Sequence, residues 1–262
     1  MAKHVEYDPY WQKMCYEKLG LEKLPAEHST WRSAYFSKYI QNEIENISEH
    51  SDIEGITELL KVMAPATFQL RVDKAKSTFN INDTLSKLTK LQYLRLTLVK
   101  KDARSNFNIE SLGMTLEDIN NVANLIPALR ELKVIELPCN QIDDSGVKML
   151  IKSFEEHPCI ETIDLSHNKI SNEGARRMAR TVKHNRKITK LNLSNNKIGY
   201  EGGRSLSLML AEPDCQLADL NLSLNLIGDK ALIIMLEDIK ENKSLKVLDL
   251  SANLLTDEVI SY

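Results

Sequence analysis

From residue 135 to residue 259 the apolar and polar positions fall into one figure that recurs five times. It reads "IELPCNQIDDSG" (135–146), "IDLSHNKISNEG" (163–174), "LNLSNNKIGYEG" (191–202), "LNLSLNLIGDKA" (220–231) and "LDLSANLLTDEV" (248–259). Each copy begins with apolar residues at alternate positions, the period-two pattern of a strand with one buried face. Leu191 and Leu193 are therefore expected to point inward. The alternation ends at Asn140, Asn168, Asn196, Asn225 and Asn253, spaced 28, 28, 29 and 28 residues apart. Six residues beyond each asparagine stand Gly146, Gly174, Gly202, Ala231 and Val259. These small positions are expected where a helix packs closest to the strand behind it. The pairs Leu150/Phe154, Met178/Val182, Leu206/Leu210 and Met235/Ile239 then follow at the i, i+4 spacing of a core-facing helical stripe.

A unit of strand, turn and helix cannot bury its apolar face alone, so consecutive units must stack. The consensus L-x-x-L-x-L-x-x-N-x-I/L, as in Leu245, Leu248, Leu250, Asn253 and Leu255, resembles the leucine-rich repeat. A period near 28 residues with a full helix is similar to the ribonuclease-inhibitor-like type. The resemblance implies an α/β solenoid, a horseshoe with a parallel concave sheet and convex helices. Turning backbone inside such a solenoid leaves groups that no strand ladder satisfies, and a buried unpaired amide costs roughly 1–3 kcal/mol. An asparagine side chain offers an acceptor and two donors, so the five asparagines read as a structural ladder rather than a binding site.

Upstream the period loosens. "LQYLRLTLV" (91–99) has the strand figure, but the next strand begins near Leu132, with the extra length placed in a loop over 100–115 ahead of a helix at 116–126. "FQLRV" (68–72) followed by "INDTLSKLTK" (81–90) reads as one more irregular unit. Residues 1–66 differ in kind: they hold both tryptophans, Trp11 and Trp31, and five of the eight tyrosines. Helices are expected over 8–19, 30–47 and 52–63. Thr30 caps the second, Phe36, Ile40, Ile44 and Ile47 form its stripe, and Pro65 stops the third. The chain thus divides into an aromatic-rich helical cap (1–66), irregular capping repeats with a long loop (67–131) and regular repeats (132–262). The aromatic region has two readings: a cover for the end of the solenoid, or a surface on which Trp11 and Trp31 dock a partner.

Composition adds exclusions. A net charge of −3 argues against a general nucleic-acid binder. No apolar run reaches the roughly 20 residues that span a bilayer, and the N-terminus lacks a signal-peptide core. Cys15, Cys139, Cys159 and Cys215 show no paired spacing and read as reduced thiols of a cytoplasmic protein. There is no H-E-x-x-H, G-x-G-x-x-G, phosphate-binding loop or G-x-S-x-G. Asp164, Ser166 and His167 are neighbours in sequence but lie on one strand edge and turn, not in a nucleophile–base geometry. The expectation is a protein that is not an enzyme and needs no cofactor, metal or small-molecule substrate.

What remains is surface. One concave column reads Arg95, Glu136, Asp164, Asn192, Asn221 and Asp249, a mildly acidic track, although Asp or Asn in "L-D-L" and "L-N-L" is also ordinary in this repeat. On the convex side "ARRMARTVKHNRK" (175–187) carries Arg176, Arg177, Arg180, Lys183, Arg186 and Lys187 with no acid among them. That run is either a solvated face or a basic patch for an acidic protein surface. Finally "LLTDEVISY" ends part-way through a repeat, which leads to the expectation that another chain, or further residues, cover the last strand.

The segment "EEHPCIETIDLSHNKISNEGARR" (155–177), the irregular long first repeat and the helix "TWRSAYFSKYI" resemble the leucine-rich repeat subunit of the nexin–dynein regulatory complex, the T-complex-associated testis-expressed type. The resemblance implies a cytoskeletal scaffold in the axoneme of cilia and flagella. Its partners would be other protein subunits of a large assembly: regulatory-complex coiled coils, with dynein or tubulin as further candidates, and neither nucleic acid nor membrane. It carries over no catalytic or cofactor residue. Two other classes share the repeat: a regulator of a small GTPase similar to the Ran GTPase-activating protein, and an innate-immune or actin-capping module. The acidic tail of the former is missing here, and no residue takes the place of its catalytic arginine.

Overall fold

The computed structural model describes residues 8–26, 28–47, 53–76, 81–99 and 113–256. Seven strands pair in chain order into one parallel sheet: β1 (Gln69–Lys76), β2 (Tyr93–Val99), β3 (Val134–Glu136), β4 (Thr162–Asp164), β5 (Lys190–Asn192), β6 (Asp219–Asn221) and β7 (Val247–Asp249). Register holds from coil to coil, so that Leu94, Ile135, Ile163, Leu191, Leu220 and Leu248 form one row. The first five of these are sealed in the core, and Leu248 is half-buried. Between the strands run α4 (Ile81–Leu85), α5 (Leu116–Leu125), α6 (Asp144–Glu156), α7 (Asn172–His184), α8 (Tyr200–Leu210) and α9 (Gly228–Asp238), each from α5 onward packed on the next. This is the leucine-rich repeat solenoid, with β1 to β7 on one face and helices on the other.

Three helices precede the sheet: α1 (Asp8–Leu19), α2 (Trp31–Glu45) and α3 (Ile53–Met63), the last followed by a 3-10 turn through Pro65. Thr30 caps α2 by accepting from the Ser33 amide at 3.1 Å. Phe36, Ile40, Ile44 and Ile47 are buried in the same core as Leu70 and Val72 of β1. The α2 helix lies against β1, and the Asp73 amide donates to Glu45 Oε1 at 2.9 Å. The edge strand therefore does not present all its amides for pairing with another chain. One strand differs from expectation: β1 continues past Val72 to Lys76, with a register shift between Val72 and Ala75. The alternating apolar residues of "YLRLTLV" give it a long partner to follow. The enlarged loop expected at 100–115 lies mostly outside the described residues, as does Val259.

The asparagine positions form a column through the turns. Asn168 Oδ1 accepts from the amides of Asn140 and Ile142, both at 3.0 Å, and its Nδ2 donates to the carbonyls of Leu137, Leu165 and Ser166. Asn196 Oδ1 accepts from Ile170 N at 2.9 Å, while Nδ2 donates to Leu165, Leu193 and Ser194. Asn140, Asn225 and Asn253 make corresponding bonds, and all five side chains are at most 8% exposed. The residue ahead of each asparagine (Cys139, His167, Asn195, Leu224 and Ala252) has φ between 50° and 57°. A left-handed conformation costs a non-glycine residue about 1–2 kcal/mol, and the hydrogen bonds around each asparagine hold the turn there.

The glycines after the ladder have neighbours other than those expected. A Cβ at Gly174 would lie 2.5 Å from Asp144 Oδ1 and 2.6 Å from Ile170 Cγ2; one at Gly202 would meet Ile198 Cγ2 at 2.6 Å and Asn172 Oδ1 at 2.9 Å. These contacts are not with a strand. They arise because Asp144 and Asn172, each the first residue of its helix, cap the next helix along. Asp144 Oδ1 accepts from the Ser171 and Gly174 amides, and Asn172 Oδ1 from those of Gly199 and Gly202. Neither α7 nor α8 has a cap side chain of its own. The preceding coil supplies it, and glycine leaves room for the carboxylate or amide to enter.

Candidate interaction surface

The concave column is assembled by register. Arg71 of β1 aligns with Arg95, then Glu136, Asp164, Asn192, Asn221 and Asp249. Four of these side chains are committed locally. Asp164, Asn192, Asn221 and Asp249 each accept, through one side-chain oxygen, from the amide two residues ahead (Ser166, Ser194, Ser223 and Ser251) at 2.8–3.0 Å. That bond is the physical reason "L-D-L" and "L-N-L" fit this turn, since Asp and Asn readily bond backbone two residues on. The Ser251 amide also holds the Asp249 carboxyl below its usual pKa. Asn192 Nδ2 donates to Asp164 Oδ2 at 2.9 Å, linking adjacent coils.

The first two coils are different. Arg71 Nε donates to Asp73 Oδ2 at 2.6 Å, Arg95 Nε to Asp73 Oδ1 at 3.1 Å, Arg95 to Glu136 Oε2 at 2.9 Å, and the Tyr93 hydroxyl to Glu136 Oε2 at 2.8 Å. Arg95 and Glu136 are only 25% and 21% exposed, so their attraction is less screened than that of a surface pair. Burial pushes the Asp73 carboxyl upward, but hydrogen bonds from Arg71 and Arg95 outweigh it and the net shift is down. Burial and the Glu136 carboxylate raise the Tyr93 hydroxyl well above its usual pKa, so it stays a donor. The side chains of this end are thus fixed rather than loosely solvated.

On the convex side the basic run acquires partners from outside its own span. Arg176 forms a bidentate pair with Glu173, both bonds at 2.8 Å, and Arg177 reaches the same carboxylate at 2.7 Å. Lys183 pairs with Glu212 and Arg186 with Asp214, both acids from the loop after α8. Among the described residues Arg180 and Lys187 have no carboxylate partner. The expected patch of six cations is therefore largely neutralised from the helix's own first turn and from the next coil.

Trp11 and Trp31 are both partly buried against the core. The Trp11 ring sits 5.0 Å from Phe36 and 5.3 Å from Tyr35, joining α1 to α2, and the Trp31 amide donates to Asp8 Oδ1 at 3.0 Å. Their aromatic area goes into packing, whereas Tyr10 and Tyr16 are the exposed rings of α1. Of the residues set aside as an unlikely triad, Ser166 is buried, and the exposed His167 bonds Asn195 through Nδ1 at 2.6 Å. Among the described residues no group of three or more His, Cys, Asp and Glu could hold a metal. No described helix is long and apolar enough to cross a membrane.

A second polar column went unread in the sequence. At the far end of the helices His157 Nε2 lies 3.1 Å from the Leu129 carbonyl, and its Nδ1 accepts from the amides of Cys159 and Ile160 at 3.2 Å. One coil on, Asn185 Nδ2 donates to the carbonyls of Phe154 and His157; further on, Asn242 donates to Leu210. The signal was present as positions 157, 185 and 242 in phase with the repeat, but the change from His to Asn hid it.

Fold and surface together define a leucine-rich repeat protein. The family described as "Leucine Rich repeat" matches residues 129–150, 156–179 and 184–207. The chain is related to proteins named Dynein regulatory complex subunit 5. It is 26% identical over 188 residues to that of Macaca fascicularis and 27% identical over 191 residues to that of Mus musculus, 61% and 62% of this chain. The resemblance read from the sequence is thus found in curated relatives as well. The chain spans 38% of the length of each. Among solved structures, the tropomodulin C-terminal domain of Caenorhabditis elegans aligns with 73% of this chain and 93% of its own at 16% identity and a TM-score of 0.44.

Proposed function

We propose that this chain is a non-enzymatic scaffold of the ciliary and flagellar axoneme, acting within the nexin–dynein regulatory complex that links doublet microtubules and regulates dynein-driven motility. One observation carries the reading: the relatives that match over three-fifths of the chain bear the name of a subunit of that complex. The surface chemistry supports it. The asparagines and aspartates of the strand-lined face are engaged in their own turns, and a fixed, polar surface suits protein recognition better than turnover. Its partners are other subunits of the assembly, with dynein and tubulin as further candidates.

The test is localisation of the tagged full chain in a motile ciliated cell, followed by detergent extraction. Retention on demembranated axonemes is the expected result. Enrichment at the nuclear envelope and in the cytosol would favour the GTPase-regulator reading, and cortical actin the actin-capping one; either would overturn this proposal.

A further inference from the structure

At the N-terminal end of the concave face the connection between α1 and α2, the α2 helix and the first two strands enclose an open cavity of about 760 Å³. Its floor is the start of the concave surface: Arg71 and Tyr93 line it, and Arg71 is in register with the column that runs on to Asp249. Its wall on α2 carries Ser37, Lys38 and Gln41, with Leu21 and Pro25 opposite as apolar surface.

Two basic side chains of this cavity keep donors that their own neighbours do not use. Asp73 already accepts from both Arg71 and Arg95. Arg71 uses only its Nε in that pair, and its side chain is 59% exposed, which leaves the two terminal nitrogens of the fork for another acceptor. Lys38 donates one hydrogen to Gln41 Oε1 at 3.0 Å, while Gln41 turns its amide nitrogen to Glu45. Ser37 lines the same wall but is buried, and its hydroxyl oxygen is sealed from the open cavity. Two cations with spare donors, a satisfied acid and an apolar flank fit a carboxylate on a short aliphatic stem.

We propose that this cavity is a docking site for a glutamate or aspartate side chain of a partner polypeptide whose chain continues onto the strand-lined concave face. Lys38 and the Arg71 fork bind the carboxylate, and Leu21 and Pro25 cover its stem. The occupant is a polypeptide rather than a small acid because the floor is continuous with the concave columns of β3 to β7. The inference rests on the reading of this chain as a protein-binding scaffold and adds the location and charge of one contact.

The test uses the full chain and a fluorescein-labelled oligoglutamate peptide, read by fluorescence anisotropy, with oligolysine of equal length and free glutarate as competitors. Saturable binding of oligoglutamate is expected, weakened by salt and at least about tenfold by Lys38→Glu or Arg71→Gln. Lys148→Glu, on the exposed face of α6, should leave it unchanged, and circular dichroism verifies that each variant is folded. Equal binding by wild type and the cavity variants, or equal binding of oligolysine, would overturn the proposal; competition by glutarate as strong as by unlabelled oligoglutamate would overturn its polypeptide occupant. A wild-type chain that binds the peptide but is absent from axonemes would refute the proposed function and leave the cavity assignment standing. Axonemal retention with no peptide binding would do the reverse.

Discussion

Asn168 and Asn196 occupy the same position in consecutive coils, yet truncating them should not cost the same. In Asn196→Ala the Ile170 amide loses its acceptor. The three carbonyls that Asn196 serves each keep another donor: Asn168 for Leu165, Asn225 for Leu193 and the His167 amide for Ser194. One buried amide is stranded, at a cost of about 1–3 kcal/mol. In Asn168→Ala two amides, those of Asn140 and Ile142, lose the same oxygen, and the Leu137 carbonyl loses its donor as well. The two amides alone bring about 2–6 kcal/mol by the same rule. Asn168→Ala is therefore expected to be roughly twice as destabilising, a gap of several degrees in melting temperature for a chain of this size. Urea denaturation of both variants gives the free energies, and hydrogen exchange locates the loss: faster exchange at Ile170 in one, at Asn140 and Ile142 in the other. Equal destabilisation, or a larger effect for Asn196→Ala, would refute the reasoning that the count of stranded groups sets the cost.

Three further outcomes follow from the same geometry. Gly174→Ala should destabilise by about 1–3 kcal/mol, because the new methyl overlaps Asp144 Oδ1 and Ile170 Cγ2; an unchanged urea midpoint would show that the cross-coil cap can move aside. Leu224→Asn should stabilise by up to about 1 kcal/mol, since φ there is 57° and the leucine is 51% exposed; calorimetry showing a lower melting temperature would contradict this. His157 is held neutral, because burial outweighs its carbonyl contacts and lowers its pKa. As pH falls below the ordinary imidazole value near 6.5, the unfolded chain takes up a proton that the native site resists. The stabilisation is thus complete above that pH and declines beneath it, and His157→Asn, which copies the Asn185 arrangement, should flatten the acid side of a stability–pH profile.

The fold was legible because its signal is periodic. A spacing of 28 residues, strand alternation and the i, i+4 stripes each point to the same stacked unit, and α2 falls where Thr30 places it. What stayed hidden depends on which groups of neighbouring coils face each other. Arg186 and Asp214 become a pair only after stacking, as do Asp144 and Gly174. The concave column could be listed in order from the sequence, but not the fact that Asp164, Asn192, Asn221 and Asp249 bond their own turns while Arg95 and Glu136 bond each other. The cavity beside Arg71 was not legible at all, because Ser37 and Lys38 approach it from a helix that precedes β1 by a separate element.

Cross-linking mass spectrometry on isolated axonemes bears most directly on the central claim that this chain is a subunit of the regulatory complex. With the tagged full chain incorporated, lysine cross-links from the solenoid should lead to other subunits of the nexin–dynein regulatory complex. They should disappear when that complex is genetically absent. Cross-links confined to a small GTPase or to soluble cytosolic proteins, or axonemal retention that persists without the complex, would contradict the account.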